Sequence, residues 1–181
     1  MFYDEKAGLF RTFCDSDVYH ELTQALAILS GVADWEMIAP ILAKENNGLV
    51  KVTLSTSMYK YDALLKDSNQ YLEFVTDDIA KIWGDMIYSG ANTLWETSAG
   101  ADDFGNAGSL CHAWSAVPVY ILYRYHIGFY PTAPGFQSYS LKPCATTAIS
   151  QIDAQLYMPS EILRISAKDG AVTDKEYVSF A

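Results

Sequence analysis

The chain has little of what staples, anchors or charges a protein for a known task. Its three cysteines, Cys14, Cys111 and Cys144, are far apart and odd in number. They supply neither a disulfide framework nor the paired spacing of a zinc site, and read as small core residues. Basic residues are scarce, 12 Lys and Arg against 22 Asp and Glu, which leaves a formal net charge of −10. That balance excludes the basic face of a nucleic-acid binder and disfavours adhesion to an anionic membrane. The longest apolar run, residues 113–123, is too short to span a bilayer and contains Pro118. The first ten residues mix acidic, basic and apolar types without a signal-peptide pattern. Cytoplasmic, periplasmic and secreted locations all stay open. A phosphate-cradling glycine loop, a Gly-x-Ser-x-Gly elbow and a His-Glu-x-x-His pair are also missing, so no cofactor and no metal is expected.

Apolar and aromatic residues are plentiful. Half of the 181 residues are hydrophobic and 14% are aromatic, thirteen of them tyrosines, enough for a core and for rings at a binding surface. Asp15 or Ser16 can cap a helix whose apolar positions Val18, Leu22, Leu26 and Leu29 recur at the helical period, with Gly31 as its stop. Asp34 can cap a second helix to about Glu45, interrupted by Pro40. Residues 50–54 alternate and can be extended. A third helix is expected over 56–66, and a fourth, capped by Ser68 or Asn69, with Leu72, Val75, Ile79, Ile82 and Met86 on its buried side. Ser109 can cap a fifth, with Leu110, Trp114, Val117 and Ile121 inward. After Gly128 the composition shifts: prolines break helices, and residues 136–141, 148–157 and 161–166 read as short strands. The spacing therefore predicts a helical part over 1–130 and a small β part over 131–181.

The stretch that organises the rest runs from Ile82 to Trp114. Between the fourth and fifth helices lie about twenty residues carrying Gly90, Gly100, Gly105 and Gly108, and a loop that long in a helical domain is usually functional. Trp95 and Glu96 stand at its entrance and His112 at its exit. An indole offers a face to a pyranose ring, a carboxylate activates water, and an imidazole hydrogen-bonds a hydroxyl. Convergence of Trp95, Glu96 and His112 on one concave face is the expectation.

Trp83-Gly84, Ala91-Asn92-Thr93-Leu94-Trp95-Glu96 and Ser109-Leu110-Cys111-His112-Ala113-Trp114 resemble the closing motifs of bacterial α-L-rhamnosidases, glycoside hydrolase family 78. Tyr3-Asp4-Glu5 with Gly8-Leu9, the 20–29 run, and Gly128 through Pro134-Gly135-Phe136 resemble flanking segments of that family in the same order. The resemblance implies a mainly α fold, a partial (α/α)6 toroid made of the last helical hairpins, followed by the opening of a C-terminal β-sandwich. It places Glu96 at the general-base position of an inverting glycosidase, with Trp95, His112 and Tyr59 in contact with sugar. The implied partner is a carbohydrate, a rhamnosyl glycoside or a polysaccharide side chain. Self-association through the open lateral face of the incomplete toroid, along Leu22, Leu26 and Leu29, is a further expectation. Inversion needs a second carboxyl group as acid, and nothing in residues 1–60 resembles the family's acid motif.

Without the resemblance, Glu96 is a solvated loop side chain, His112 a capping histidine, and Trp95 and Trp114 core residues. Two other function classes stay open on that footing. One is a non-catalytic carbohydrate-binding or structural remnant of a six-hairpin glycosidase, and the other is a helical-hairpin interaction domain whose aromatics meet a partner.

Overall fold

The structure is a computed structural model and describes residues 2–66 and 68–180. Two compact units divide between Val117 and Pro118, ahead of the composition change near Gly128.

In the first unit, a small ladder of β1 (Tyr3–Asp4) and β2 (Leu9–Phe10) precedes four helices. These are α1 (Glu21–Leu29), α2 (Trp35–Leu42), α3 (Ser57–Leu64) and α4 (Leu72–Tyr88). Asp34 caps α2 by accepting from the Glu36 amide, and Pro40 lies inside that helix. The buried side of α4 is Leu72, Val75, Thr76, Trp83 and Met86, while Ile79 and Ile82 are half-buried.

The α1 helix departs most from its apolar period. It starts at Glu21 with His20 as a cap that makes no side-chain bond, and its fully buried face is Glu21, Gln24, Ala25 and Ile28. Leu26, expected inward, is 45% exposed. The polar residues win because each finds its partners. The Gln24 amide grips Phe10 from both sides, accepting from its N–H (2.8 Å) and donating to its carbonyl (2.7 Å). Glu21 Oε1 accepts from Asn47 (2.7 Å) and from the ammonium groups of Lys51 and Lys60 (each 3.1 Å), and Oε2 accepts from the Val52 amide (3.0 Å). Lys60 also lies 3.6 Å from Asp78, which accepts from the buried Tyr61 hydroxyl (3.0 Å). A buried carboxylate with that many donors is satisfied where an unpaired one would cost several kcal/mol. Burial works to raise the Glu21 carboxyl, but the Lys60 charge and the bonds from Asn47, Val52 and Lys51 outweigh it and hold it below its ordinary value.

The second unit is built on a three-stranded antiparallel meander of β5 (Gln151–Tyr157), β6 (Glu161–Lys168) and β7 (Ala171–Ser179). Leu156 faces Leu163, and Leu163 faces Tyr177, so these three share one side of the sheet. That side packs on Ile127, Phe129, Phe136 and Leu141. The other side is polar, with Ser166 bonded to Asp153 (2.6 Å) and Arg164 3.4 Å from Glu176. A second ladder joins β3 (Tyr130–Pro131) to β4 (Tyr139–Ser140). The β7 strand is absent from the sequence reading because Thr173-Asp174-Lys175-Glu176 carries no apolar alternation; pairing with β6 along one edge makes it a strand.

The expectation of a mainly α protein with a partial (α/α)6 toroid and a β-sandwich portion is overturned. Helix occupies 39% of the structure and strand 19%, in six short helices and three small sheets, an α/β mix. Two local causes are visible. The α1–α3 helices are nine, eight and eight residues long, too short for the ring of long hairpins the resemblance implies. The fifth long helix does not form, because Ser109 and His112 bond across the chain to Glu96 and Leu94 rather than along it. Helix resumes only with a 3₁₀ turn at Ala113–Ala116 and α6 (Val117–Ile121), after α5 (Asp103–Asn106), a single turn broken by left-handed Phe104 and Gly105. Leu110 and Trp114, expected inward, are exposed. The toroid's open lateral face goes with it as a basis for self-association.

The buried pair gives a pH dependence with a definite sign. The folded-state pKa of Glu21 is depressed below 4.5, so its stabilisation is fully present above that value and is lost as pH falls through the folded pKa. Glu21→Gln leaves Lys60 with Asp78 as its remaining anion and is expected to cost about 1–3 kcal/mol at neutral pH through the weakened buried bonds. It should also flatten the acid side of the profile. Urea unfolding of both proteins between pH 7 and pH 3 checks this, and parallel profiles would refute it.

Candidate functional site

The loop from Gly90 to His112 is laced across its base. The His112 amide donates to the Leu94 carbonyl (2.7 Å) and the Glu96 amide to the Ser109 carbonyl (2.8 Å). The Thr93 hydroxyl donates to the Leu110 carbonyl, and the Ser109 amide returns a bond to Glu96 Oε2 (3.1 Å). Four bonds across two short segments do the work of a ladder.

Two glycines let the loop fold onto itself. Gly100 has φ +60, and a Cβ there would stand 2.6 Å from the Trp95 ring. At Gly108 a Cβ would stand 1.9 Å from the Gly100 carbonyl oxygen. Both positions admit glycine alone without displacement of a neighbour.

Three tryptophans tie this base to its surroundings. The buried Trp83 indole of α4 donates to the Ser115 carbonyl (2.9 Å), and the buried Ser115 hydroxyl donates to the Trp95 carbonyl. The Trp95 amide donates to the Met86 sulfur (3.4 Å). The Trp114 indole donates to the Glu96 carbonyl (3.2 Å).

Glu96 and His112 meet. His112 Nδ1 lies 3.9 Å from Glu96 Oε2, with the side chains 31% and 21% exposed. That distance is beyond a hydrogen bond, and Nδ1 is shielded from solvent without a hydrogen-bond partner. The other ring at this point is Trp114, not Trp95. Its indole stacks on the His112 imidazole with centroids 3.6 Å apart and 19° between the planes. Trp114 is 44% exposed and presents an open aromatic surface beside the carboxylate. The Trp95 ring instead packs against Gly100. Tyr59, on α3, is exposed, and none of the described hydrogen bonds or ring contacts joins it to Glu96 or His112. Sequence reasoning assigned Trp114 to the core because its spacing fits an inward helical position. No local pattern signals it, because Trp114 lies in the 3₁₀ turn at Ala113–Ala116 and not in a regular helix or strand.

The arrangement offers a partly exposed carboxylate, an imidazole beside it and an indole face, which together can accept a proton, hydrogen-bond a hydroxyl and stack on a ring. Among the described residues no cluster of three His, Cys, Asp or Glu side chains suits a metal ion. Among the described residues no helix is long and apolar enough to cross a membrane. No protein-family model matches the chain, and no curated protein matches it either.

Gly108→Ala tests the folded-back loop. Displacing the Gly100 carbonyl is expected to cost about 1–3 kcal/mol, the range of overpacked sites, and to alter the near-ultraviolet dichroism of Trp95. Urea unfolding and circular dichroism read both. Wild-type stability with an unchanged spectrum would mean the two arms of the loop do not touch.

Proposed function

We propose that this chain carries the base-bearing part of the site of an α-L-rhamnosidase-like inverting glycoside hydrolase, acting on terminal α-L-rhamnosyl or related residues. Glu96 is the general base, His112 a hydroxyl ligand, and Trp114 the aromatic platform in the place first given to Trp95. The observation that carries the reading is the approach of Glu96 to His112 across a loop of sixteen residues' separation, within the segments that resemble the rhamnosidase motifs. A base and a sugar ligand must touch the same ring, so they have to converge. A movement of roughly 1 Å brings His112 Nδ1 into hydrogen-bond range of the carboxylate. Glu96 Oε1 accepts no hydrogen bond among the described residues, while Oε2 is held by the Ser109 amide. One oxygen orients the group and the other is available to take a proton from water.

A second reading, a non-catalytic carbohydrate-binding module, draws on the same Ser109 bond. There Glu96 serves the loop, and the sugar meets only His112 and Trp114.

On the catalytic reading the chain alone hydrolyses an aryl α-L-rhamnoside at no measurable rate, since absence of the acid forfeits about 10²–10⁴-fold. It nonetheless binds methyl α-L-rhamnopyranoside, at least about tenfold more weakly as His112→Ala (about 1.4 kcal/mol). Calorimetry and a chromogenic assay measure the two. Binding indifferent to His112→Ala removes the site, whereas robust hydrolysis abolished by Glu96→Gln would reveal an acid within the chain. Binding unchanged by Glu96→Gln favours the module.

A further inference from the structure

The second unit carries a depression of about 400 Å³ that plays no part in the Glu96 site. Gly135, Phe136, Gln137 and Tyr139 line one wall, and Glu161 and Tyr177 the other. The volume lies within the range of small-molecule sites.

Its first wall is a strained turn. Phe136 has φ +56 directly after Gly135 at φ +63, and a bulky residue in the left-handed region is a true outlier. The turn stacks the Phe136 ring on Phe129, centroids 5.3 Å apart and planes 20° apart, and leaves the Gln137 side chain exposed at the rim.

The second wall lies where the apolar side of the sheet ends. Glu161 and Tyr177 stand on the same side as Leu163, near the turn end of the β5–β6 hairpin. The Tyr177 ring is 47% exposed and its hydroxyl is bonded to that of Tyr139 (2.5 Å). The Lys175 ammonium lies 4.9 Å from the Tyr177 ring centroid and 5.5 Å from that of Tyr139. The ammonium is thus held over the two rings, and its proximity, with the Tyr139 bond, lowers the Tyr177 hydroxyl below its ordinary pKa. Neither the Glu161 carboxylate nor the Gln137 side-chain amide makes a hydrogen bond among the described residues.

These features select the ligand's chemistry. A phosphate or carboxylate would meet Glu161 and find the nearby cation already held. A purely apolar ligand would leave Glu161 and Gln137 without hydrogen-bonding partners. A pyranose meets both demands, with a C–H face for a flat ring and hydroxyls for a carboxylate and an amide. We propose that this depression binds a neutral pyranose unit, stacked on Tyr177 and hydrogen-bonded by Glu161 and Gln137, independently of the Glu96 site.

The test uses the full chain and three probes, methyl α-L-rhamnopyranoside, methyl α-D-glucopyranoside and methyl β-D-galactopyranoside, followed through backbone amide shifts. At least one probe is expected to give saturable shifts at Gln137, Glu161 and Tyr177, with Kd about a millimolar, ordinary for a ligand of that size. Tyr177→Ala should weaken it at least about tenfold, and Glu96→Gln should leave it unchanged. If Tyr177→Ala does not fold, judged by its thermal transition, Gln137→Ala and Glu161→Gln replace it, since both side chains are free of internal bonds. Absence of saturable shifts with all three probes overturns the proposal. So do shifts that survive these substitutions, or shifts confined to residues around Glu96. The last outcome leaves the rhamnosidase reading standing, so the two proposals fail separately.

Discussion

A carboxylate without access to water must be met by its partners all at once, and Glu21 imposes that condition on the first unit. Its desolvation would cost several kcal/mol if any large part of the shell were missing. The shell comes from Asn47, Lys51, Val52 and Lys60. The segment between α2 and α3 is therefore fixed ahead of its short 3₁₀ helix at Leu54–Thr56. Lys60 shares its charge with Asp78 of α4, and the buried Tyr61 hydroxyl, pushed well above its ordinary pKa by burial and by Asp78, stays protonated and donates to that carboxylate. Helix α4 is seventeen residues long, about 25 Å at the usual rise. Near its far end Trp83 and Met86 hold Ser115 and Trp95. The order imposed at Glu21 is thus relayed to the place where Glu96 and His112 meet.

How much of this was legible in the sequence depended on whether a residue's role was set by its neighbours in the chain. The Asp34 cap, the α3 helix and most of the α4 stripe follow from local pattern, and they appear as read. The α1 face was misread because Leu22, Leu26 and Leu29 make a valid apolar period, yet Glu21 and Gln24 are buried by partners 14–39 residues away. No window of helical length contains Phe10 or Val52. The fifth helix failed for the same reason: its capping serine spends its amide on Glu96, across the loop. At the site, the proximity of Glu96 and His112 was anticipated through motif resemblance. The exchange of Trp95 for Trp114 was not, since it turns on the close passage of Gly100 beneath the Trp95 ring.

The site shows why a loop can hold a geometry as well as a helix. Each arm carries bonds to the other, at Thr93, Leu94 and Glu96 on one side and Ser109, Leu110 and His112 on the other. His112 is placed by its backbone as much as by its ring, and Trp114 clamps both by stacking on the imidazole while bonding the Glu96 carbonyl. Preorganisation of this kind leaves little side-chain freedom to be lost when a ligand arrives.

The lacing also separates the loop's ends from its tip. Residues 101–107 lie beyond the last contact that matters to Glu96 and His112, on the far side of the Gly100–Gly108 crossing. The entropy of closing a loop grows only with the logarithm of its length, and doubling the tip would cost roughly 0.6 kcal/mol. The tip is therefore a place where the gene can lengthen or shorten the chain without disturbing the carboxylate and imidazole below it. The surroundings of the carboxylate and imidazole can diverge there while the laced base that places them is kept.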